Sequence, residues 1–534
     1  MSICDALLVS WLGSPDLRSR RSTGLGIAGL GVIAVALIAV SAGAEVGSTA
    51  KGAAQVSVDE STLTEIEQYL EAQRSELGLP GMAAGLVQGE EVLLLRGFGD
   101  SIQADTLFLI ASLSKSITAV ALMQLVEEGL VDLDAPVITY LPELAPGGDA
   151  ISVRDLMHHR SGLTTYHGTE PLAGDLGSSL GTNVGRLGPL FEPAAPFEYS
   201  NANYDTMALI VERVSGVSFG EYMRRQVFDP LGMGRSTVDP EEAAELGLTP
   251  GHYHTMFLGY EEARPPMPIG MSGSYTMFST AEDLTHFLIA QLNGGSYQGT
   301  QVVSDESVRI LREPRPYGPD TDLGYAGGWR VWPPNSPGFP EELAPFTTVA
   351  HDGGSMSYRG VMWMMPEADL GFVLLANAND WTDESLLPQV AANVQGLVVG
   401  LEPFEIVGLS DFLTRWSKHL LLLVILGQVA LAFFAVRILR NMRRGRPPGT
   451  LGWIGLAAAT LLDLVAAVLL IFVIPSSAET PLRVIASAPD YRLLIIAMMI
   501  GVAWGIIRTG LVATWLIRRR SGRAAGPAPA DALS

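Results

Sequence analysis

The sequence predicts an α/β protein of two lobes, followed by three transmembrane helices. Strand-like and helix-like segments occur at both ends of residues 58–405, while the middle of that range is mostly helical. The terminal strands must pair in one antiparallel sheet flanked by helices, so the middle forms an inserted helical lobe. Three long apolar segments after residue 415 each have the length that crosses a bilayer.

The first 44 residues have the pattern of an export segment. Three arginines precede an uncharged apolar run from Ser22 to Ala44, and the run ends in a small-x-small cleavage pattern. Because the run is also long enough to span a bilayer, residues 1–44 are either a cleaved signal peptide or a retained signal anchor. Both alternatives place the following chain, which begins with the linker 45–57, outside the cytoplasm.

The two ends of residues 58–405 have the periodicities of strands and helices. Leu63, Ile66 and Leu70 are spaced as one face of a helix that stops before Gly78. The four strand-like runs and the second helix-like run are 82–87, 91–97, 361–365, 371–376 and 386–399. The first and last strands are therefore expected in the same sheet.

A serine and a lysine stand where the apolar run 107–111 gives way to a helical pattern that ends at Gly129. Ser112 lies at the helix N-terminus, and Lys115 returns to the same face one turn later. A serine is a poor nucleophile until a base takes its proton, and a lysine kept neutral by burial can do that. An N-capping serine followed by an ordinary helix lysine has the same spacing, so this pair alone leaves both interpretations open.

Two further motifs accompany this pair. Phe197-Glu-Tyr199-Ser200-Asn201 precedes a helical pattern, and His351-Asp352-Gly353-Gly354 precedes a strand-like run. In order and spacing the three motifs resemble those of the serine β-lactamase and penicillin-binding-protein superfamily. The most similar branch is the class C-like one, which includes esterases and D-amino-acid peptidases. The resemblance covers about residues 58–400 and implies a β-lactamase/transpeptidase-like fold.

The resemblance also implies an acyl-enzyme mechanism. Ser112 would attack an ester or amide carbonyl, and Lys115 and Tyr199 would move its proton to the leaving group. Tyr199 would need a cationic neighbourhood that favours the phenolate. The other implied roles are substrate binding by Asn201, His351 and Gly353, and an oxyanion hole formed by the backbone N–H groups of Ser112 and Gly354.

His351 departs from the lysine that many relatives have at this position. A histidine there is typical of the esterase and peptidase branches, and it would titrate near neutral pH. This departure disfavours a dedicated antibiotic-destroying β-lactamase. Two of these residues also have purely structural interpretations. Tyr199 has the character of a core aromatic residue, and Asn201 that of a helix N-cap, which does not exclude a role in the site.

Two other patterns suggest chemistry but have the wrong context. Gly216-Val-Ser218-Phe-Gly220 matches the nucleophile elbow of α/β-hydrolases, yet it follows a helical run, so Ser218 is interpreted as a helix cap. His158-His159 and His252-Tyr-His254 lack a further ligand at metal-binding spacing and are interpreted as loop histidines. We therefore expect neither a metal nor a cofactor.

The charge distribution restricts the partners. The chain has 34 basic and 56 acidic residues, and many of the basic ones lie beside the apolar segments, so the body between them is strongly acidic. Such a body repels phosphates, and no nucleic-acid partner is expected. The only cysteine, Cys4, lies outside the body, which therefore has no disulfides.

The apolar segments 419–438, 451–475 and 493–517 are predicted transmembrane helices. Arginines follow the first and third segments, so the positive-inside rule places those ends and the tail 518–534 in the cytoplasm. The catalytic body then lies on the extracytoplasmic side of the cell membrane, in agreement with the N-terminal segment.

Two charges fall inside these segments. Asp463 lies about 19 Å and Arg508 about 15 Å along its helix from the cytoplasmic side, at about 1.5 Å per residue. Because an unpaired charge at this depth is expensive, we expect the two side chains to face each other. The alternative is a shifted third helix, in which Arg508 reaches a headgroup and Asp463 is protonated.

These expectations describe a membrane-anchored extracytoplasmic serine hydrolase. The resemblance implies small esters, peptides or cell-wall fragments as substrates, with an esterase-like, D-Ala-D-Ala carboxypeptidase-like or aminopeptidase-like activity. The alternative is a non-catalytic sensor that binds peptidoglycan fragments or β-lactams and signals through the membrane helices. The presence of Ser112, Lys115 and Tyr199 together argues against it, because a binding protein does not need all three.

Overall fold

The structure, a computed structural model, describes most of the chain beyond residue 55. The described residues are 56–169, 171, 176–193, 195–256, 258–319, 321–380, 384–408, 412–468 and 489–524. The predicted export segment 1–44 and most of the linker lie outside them. So do residues 469–475 of the second predicted membrane segment and the end of the predicted tail.

An eight-stranded antiparallel sheet forms the centre of the body, in the order β2-β1-β14-β13-β12-β11-β10-β9. Short strands outside this sheet form small two- and three-stranded sheets. The strands are β1 (Met82–Gln88), β2 (Glu91–Phe98), β3 (Phe108–Leu109), β4 (His252–Thr255), β5 (Gly259–Glu262), β6 (Phe278–Ser279), β7 (Ser296–Tyr297), β8 (Thr300–Gln301), β9 (Arg315–Pro316), β10 (Gly324–Tyr325), β11 (Arg330–Trp332), β12 (Thr348–Gly354), β13 (Arg359–Met365), β14 (Leu370–Ala376) and β15 (Ala378–Asn379).

The first and last strands of the body lie side by side in this sheet. β1 pairs antiparallel with β14, so that Met82 lies opposite Ala376 and Gln88 opposite Leu370. The predicted pairing of the two ends of the chain's catalytic body is therefore confirmed. The register is fixed because both strands are buried on both faces and tolerate no shift.

Helices cover both faces of the sheet and form the inserted lobe. The helices are α1 (Glu60–Glu76), α2 (Ser114–Glu127), α3 (Val153–Met157), α4 (Thr165–Thr169), α5 (Leu180–Val184), α6 (Asn201–Ser215), α7 (Phe219–Met223), α8 (Pro240–Glu245), α9 (Ala281–Leu292), α10 (Asp305–Arg312), α11 (Leu386–Leu397), α12 (Phe412–Arg443), α13 (Thr450–Val468) and α14 (Pro489–Ala524). α1 and α11 bury Ile66, Leu70 and Val394 with Phe372 of the sheet. α9 packs on the opposite face, where the core continues into the lobe.

The inserted lobe is mostly helical, as predicted, but its described part also contains short hairpins that the sequence did not suggest, among them the one formed by β4 and β5. β4 pairs antiparallel with β5, and β4 also pairs in parallel with β15. His252 and His254 therefore lie on a strand, and their interpretation as loop histidines was wrong. Each of these strands has only two to four residues, which is too short for an alternating pattern to stand out.

Among the residues that the structure describes, three helices have the length and composition to cross a membrane: Lys418–Arg443 within α12, Thr450–Val468 and Arg492–Ser521 within α14. They overlap all three predicted segments. Inside this bundle Arg508 Nη2 lies 2.6 Å from Asp463 Oδ2, and Gln428 donates to the same carboxylate at 3.1 Å. The prediction that Asp463 and Arg508 face each other is confirmed.

Candidate active site

The candidate nucleophile sits in a tight turn between a strand and a helix. Ser112 occupies a 3₁₀ turn, Ala111–Leu113, so α2 starts two residues later than predicted. Ala111 has φ of 47°, in the left-handed region that non-glycine residues rarely adopt. Such strained backbone persists only where the surrounding packing holds it, and it is frequent at active sites.

Lys115 lies one turn after Ser112 and is fully buried. Its Nζ lies 2.9 Å from Ser112 Oγ, 2.7 Å from Asn201 Oδ1 and 2.8 Å from the backbone oxygen of Ser274. The amide and backbone oxygens accept hydrogen bonds and cannot donate them. A neutral amine would therefore direct both of its N–H bonds at these two oxygens and its lone pair at the Ser112 hydroxyl.

The surroundings of Lys115 favour this neutral form. Burial lowers its pKa to about 7, and the nearby carboxyl of Asp205 raises it only in part. Asp205 lies one turn after Asn201 on α6, where burial raises its pKa to about 8. Burial therefore favours the uncharged form of both Lys115 and Asp205. A substantial fraction of Lys115 is uncharged at neutral pH and is available as a base.

Tyr199 lies beside this pair. Lys115 Nζ is 4.9 Å from the centre of the Tyr199 ring, and the side chain of Tyr199 forms a hydrogen bond with Ser112. Arg330 supplies the cationic neighbour that Tyr199 was expected to need, but burial outweighs it and raises the pKa of Tyr199 above its ordinary value. In the free protein Tyr199 is a neutral phenol, which suits a group that relays a proton.

Asn201 is the first residue of α6, and its side chain contacts Lys115 rather than the helix end. The N-cap position belongs to Ser200, so the interpretation of Asn201 as an N-cap was wrong. Asn201 also lines the cleft, so its side chain lies between Lys115 and the open space of the cleft.

His351 lines the cleft but is almost completely buried. Its Nδ1 lies 2.7 Å from the backbone oxygen of Asp352, to which it donates, and its Nε2 lies 3.0 Å from the hydroxyl of Tyr325. Burial and the positive charge of Arg330 lower the pKa of His351 to about 3. The expected titration near neutral pH is therefore wrong, and His351 is uncharged under physiological conditions.

The two glycines after this histidine have different surroundings. Gly354 lines the cleft together with Ser112, whereas Gly353 does not line the described part of the cleft. A Cβ at Gly353 would lie 2.2 Å from the backbone oxygen of Ile110, at the base of the nucleophile turn. Gly353 thus lets β12 approach that turn closely, and its predicted contact with substrate is not supported by this position.

Four charged residues of the cleft wall were not predicted. Asp352 Oδ2 lies 2.6 Å from Arg359 Nη2, and Arg359 also pairs with Glu384 at 3.3 Å. Arg330 Nε lies 3.9 Å from Asp352, and its guanidinium carbon is 5.8 Å from the ring centre of Tyr199. Burial would raise the pKa of Asp352, but the two arginines lower it, so the carboxylate is ionised.

His159 was also missed as a neighbour of the site. Its ring centre lies 4.6 Å from that of Tyr199, and its Nδ1 accepts hydrogen bonds from the Ser200 backbone and from Asn203. Burial lowers its pKa well below the ordinary value, so it is neutral. The sequence pattern indicates only a loop histidine here, because the spacing gives no indication that His159 packs on Tyr199.

The site opens into a cleft of about 250 Å³ between the end of β12 and the inserted lobe. Apart from the residues above, its walls include Thr165, Thr169, Pro266, Tyr275, Ser355 and Met356.

Ser218 lies at a helix start, where its hydroxyl accepts from Glu221 N at 3.2 Å, so the helix-cap interpretation is confirmed. Within the described ranges no group of three metal-ligand side chains comes together.

Comparisons with known proteins agree with this architecture. The profile of the family described as Beta-lactamase matches residues 66–395. Penicillin-binding protein 4 of Amycolatopsis lactamdurans is 28% identical over 337 residues, which cover 58% of this chain and 84% of that protein. Protein flp of Staphylococcus aureus (strain N315) is 23% identical, over 75% of this chain and 81% of its own.

Two solved structures share the fold. One is the octameric penicillin-binding protein homologue from Pyrococcus abyssi, with a TM-score of 0.56, 23% identity, and coverage of 67% of this chain and 81% of that one. The other is D-amino acid amidase from Ochrobactrum anthropi SV3 complexed with D-phenylalanine, with a TM-score of 0.53, 22% identity, and coverage of 64% and 100%. The chain therefore belongs to the Beta-lactamase family, within the serine β-lactamase and penicillin-binding-protein superfamily of serine hydrolases.

Proposed function

We propose that this protein is a membrane-anchored serine hydrolase that cleaves an ester or amide bond through an acyl-Ser112 intermediate. The observation that supports the proposal most directly is the 2.9 Å contact between Lys115 Nζ and Ser112 Oγ. Because its other two partners are pure acceptors, the neutral amine can only accept the proton of Ser112 in this arrangement.

The acylation step follows from these contacts. Lys115 takes the Ser112 proton while Oγ bonds to the carbonyl carbon, and the backbone N–H groups of Ser112 and Gly354 stabilise the oxyanion. The C–N or C–O bond then breaks, the leaving atom takes a proton from Tyr199, and Tyr199 regains one from Lys115. Water attacks the acyl group with the opposite proton movements, which releases the acid and restores Ser112.

We further propose that the acyl group is small and derives from a D-amino acid or a peptide that contains one. A cleft of about 250 Å³ is of a size to hold a single amino-acid derivative. The similar structures named above as a D-amino acid amidase and a penicillin-binding protein homologue support this class. The arginines after the first and third membrane helices support an extracytoplasmic position of the body.

The test is covalent labelling of the full-length protein in detergent with a fluorophosphonate probe. Wild-type protein should be labelled on Ser112, and Ser112→Ala should remove the label without loss of folding. Ser218→Ala is the matched control: it should keep the label and lose at most ~1 kcal/mol of stability with its helix cap. Peptide mapping that placed the label on Ser218 would contradict the proposal.

The sensor alternative is distinguished by turnover. A hydrolase releases acid from a D-alanyl ester in many cycles, whereas a sensor stays acylated after one equivalent. The observation that favours this second function is the direct contact between the body and the membrane helices. Continuous product release under excess substrate would reject it.

A further inference from the structure

The hairpin of β4 and β5, of which residues 252–256 and 258–262 are described, joins the body to the membrane helices. Lys418, at the start of the first candidate span, donates to the backbone oxygen of His254 at 2.9 Å. Its Nζ also pairs with Asp490 at 3.0 Å, and Asp490 accepts from the backbone N–H of Met256 at 3.2 Å. The hairpin thus rests on the ends of α12 and α14 that lie on one side of the membrane.

The tip of this hairpin presents an apolar side chain at the same level. Leu258 is 74% exposed, although it lies only two residues after Met256. Asp490 precedes the candidate span that starts at Arg492 by two residues, which is about 3 Å of helix. A single exposed leucine is ordinary on a soluble surface, but this one lies two residues after Met256, whose backbone contacts Asp490 beside a candidate span.

The same hairpin forms the support of one wall of the cleft. Tyr253 packs against Met356, which lines the cleft, and the Lys418 ammonium lies 4.5 Å from the centre of the Tyr253 ring. A single aromatic side chain therefore separates the cleft wall from the first residue of the span. β15 strengthens this link, because Asn379 donates to the backbone oxygen of Ser355 at 2.6 Å.

Other apolar side chains of the inserted lobe are also exposed. Ile269 is 50% exposed, and its backbone N–H donates to the oxygen of Leu176, which is itself 42% exposed. Tyr166, 50% exposed, directly follows the cleft residue Thr165. Such side chains suit contact with lipid tails or with a lipid-modified substrate.

We propose that the β4–β5 hairpin docks the body onto the bilayer surface and that the cleft therefore takes acyl substrates anchored in that same membrane. The substrate would be an ester or amide whose reactive carbonyl lies at headgroup level and whose tail stays in the bilayer. This inference rests on the proposed hydrolase function and adds the class of substrate. Confinement to one membrane raises the effective concentration of such a substrate at the cleft.

The docking is tested with spin labels on the full-length protein in phosphatidylcholine vesicles. The only native cysteine is first removed as Cys4→Ser, and Leu258→Cys and Leu130→Cys are labelled separately. Leu130 is the matched control, since it is 51% exposed and follows the C-terminal end of α2, away from Ser112. The label at 258 should be accessible to oxygen and protected from a water-soluble nickel complex. Equal nickel accessibility at both positions would overturn the docking.

The substrate class is tested with one D-alanyl ester in two forms, a short soluble ester and a lipid-anchored ester in the same vesicles. kcat/KM should be at least tenfold higher for the anchored form, and the advantage should vanish when enzyme and ester occupy separate vesicles. Leu258→Asp should lose the advantage and keep soluble hydrolysis, while Leu130→Asp should keep both. Equal rates on both forms, with Ser112 still labelled, would reject membrane substrates and leave the hydrolase function intact. Loss of labelling would reject the hydrolase function itself.

Discussion

Asn201→Asp would test whether a neutral Lys115 is the base. The substitution keeps the side-chain shape and an oxygen 2.7 Å from Lys115 Nζ, but it adds a negative charge. At an effective dielectric constant near 20, two unit charges at that distance attract each other by about 6 kcal/mol, or roughly four pKa units. Desolvation of the new carboxylate offsets part of this attraction, so we expect a net rise of about two units.

The consequence is a loss of base at neutral pH. If the pKa of Lys115 rises from about 7 to roughly 9, the uncharged fraction at pH 7 falls about fifty-fold. The rate of Ser112 labelling by a fluorophosphonate should fall by the same factor. Raising the pH to 10 should restore most of the rate, because the amine is then deprotonated again.

The assay is the second-order labelling rate between pH 6 and pH 10, with Asn201→Ala as the control. Alanine removes the hydrogen-bond acceptor without adding charge, so its rate should fall while the midpoint of its profile does not rise. A uniform loss at every pH in Asn201→Asp would refute the reasoning. The residue would then act only by positioning the amine.

The paired charges in the membrane, the buried histidine and the close-packed glycine give three further tests. Asp463→Asn and Arg508→Gln should each lower the free energy of unfolding by about 3 kcal/mol, and the double variant should lose no more than either single variant. Denaturant unfolding in detergent measures these losses, and additive losses would show that the pair does not form. His351→Asn should lower the labelling rate and keep the wild-type pH midpoint, because the pKa of His351 lies near 3; a shifted midpoint would assign the titration to His351. Gly353→Ala should destabilise the body by about 1–3 kcal/mol through overpacking against Ile110, and unchanged thermal unfolding would contradict the contact.

The predictable part of the site was the part determined by local geometry. Ser112 and Lys115 are one helical turn apart, so their contact follows from the sequence once a helix is assumed. The paired intramembrane charges were predictable for a similar reason, since the bilayer restricts depth and the energetic cost restricts partners.

The unpredicted part depends on distant residues and on burial. The third contact of Lys115 is a backbone oxygen, at Ser274, 159 residues away, and backbone atoms leave no trace in a residue pattern. The protonation states of Tyr199 and His351 could not be predicted from the sequence for the same reason, because their pKa values depend mainly on desolvation. The link between Asp352 and Arg359 crosses two neighbouring strands whose register the sequence alone does not give.

The pairing of β1 with β14 has a consequence for the order in which the chain can fold. β1 ends at Gln88, whereas its central partner spans Leu370–Ala376, so nearly the whole body is synthesised between them. Until that partner has been made, β1 and β2 form an isolated hairpin with an open edge, which is marginally stable and prone to pair with other chains. Contacts of such long sequence separation also slow folding. The turn that holds Ser112 packs against β12 and therefore cannot reach its final geometry until residues 348–354 have been made.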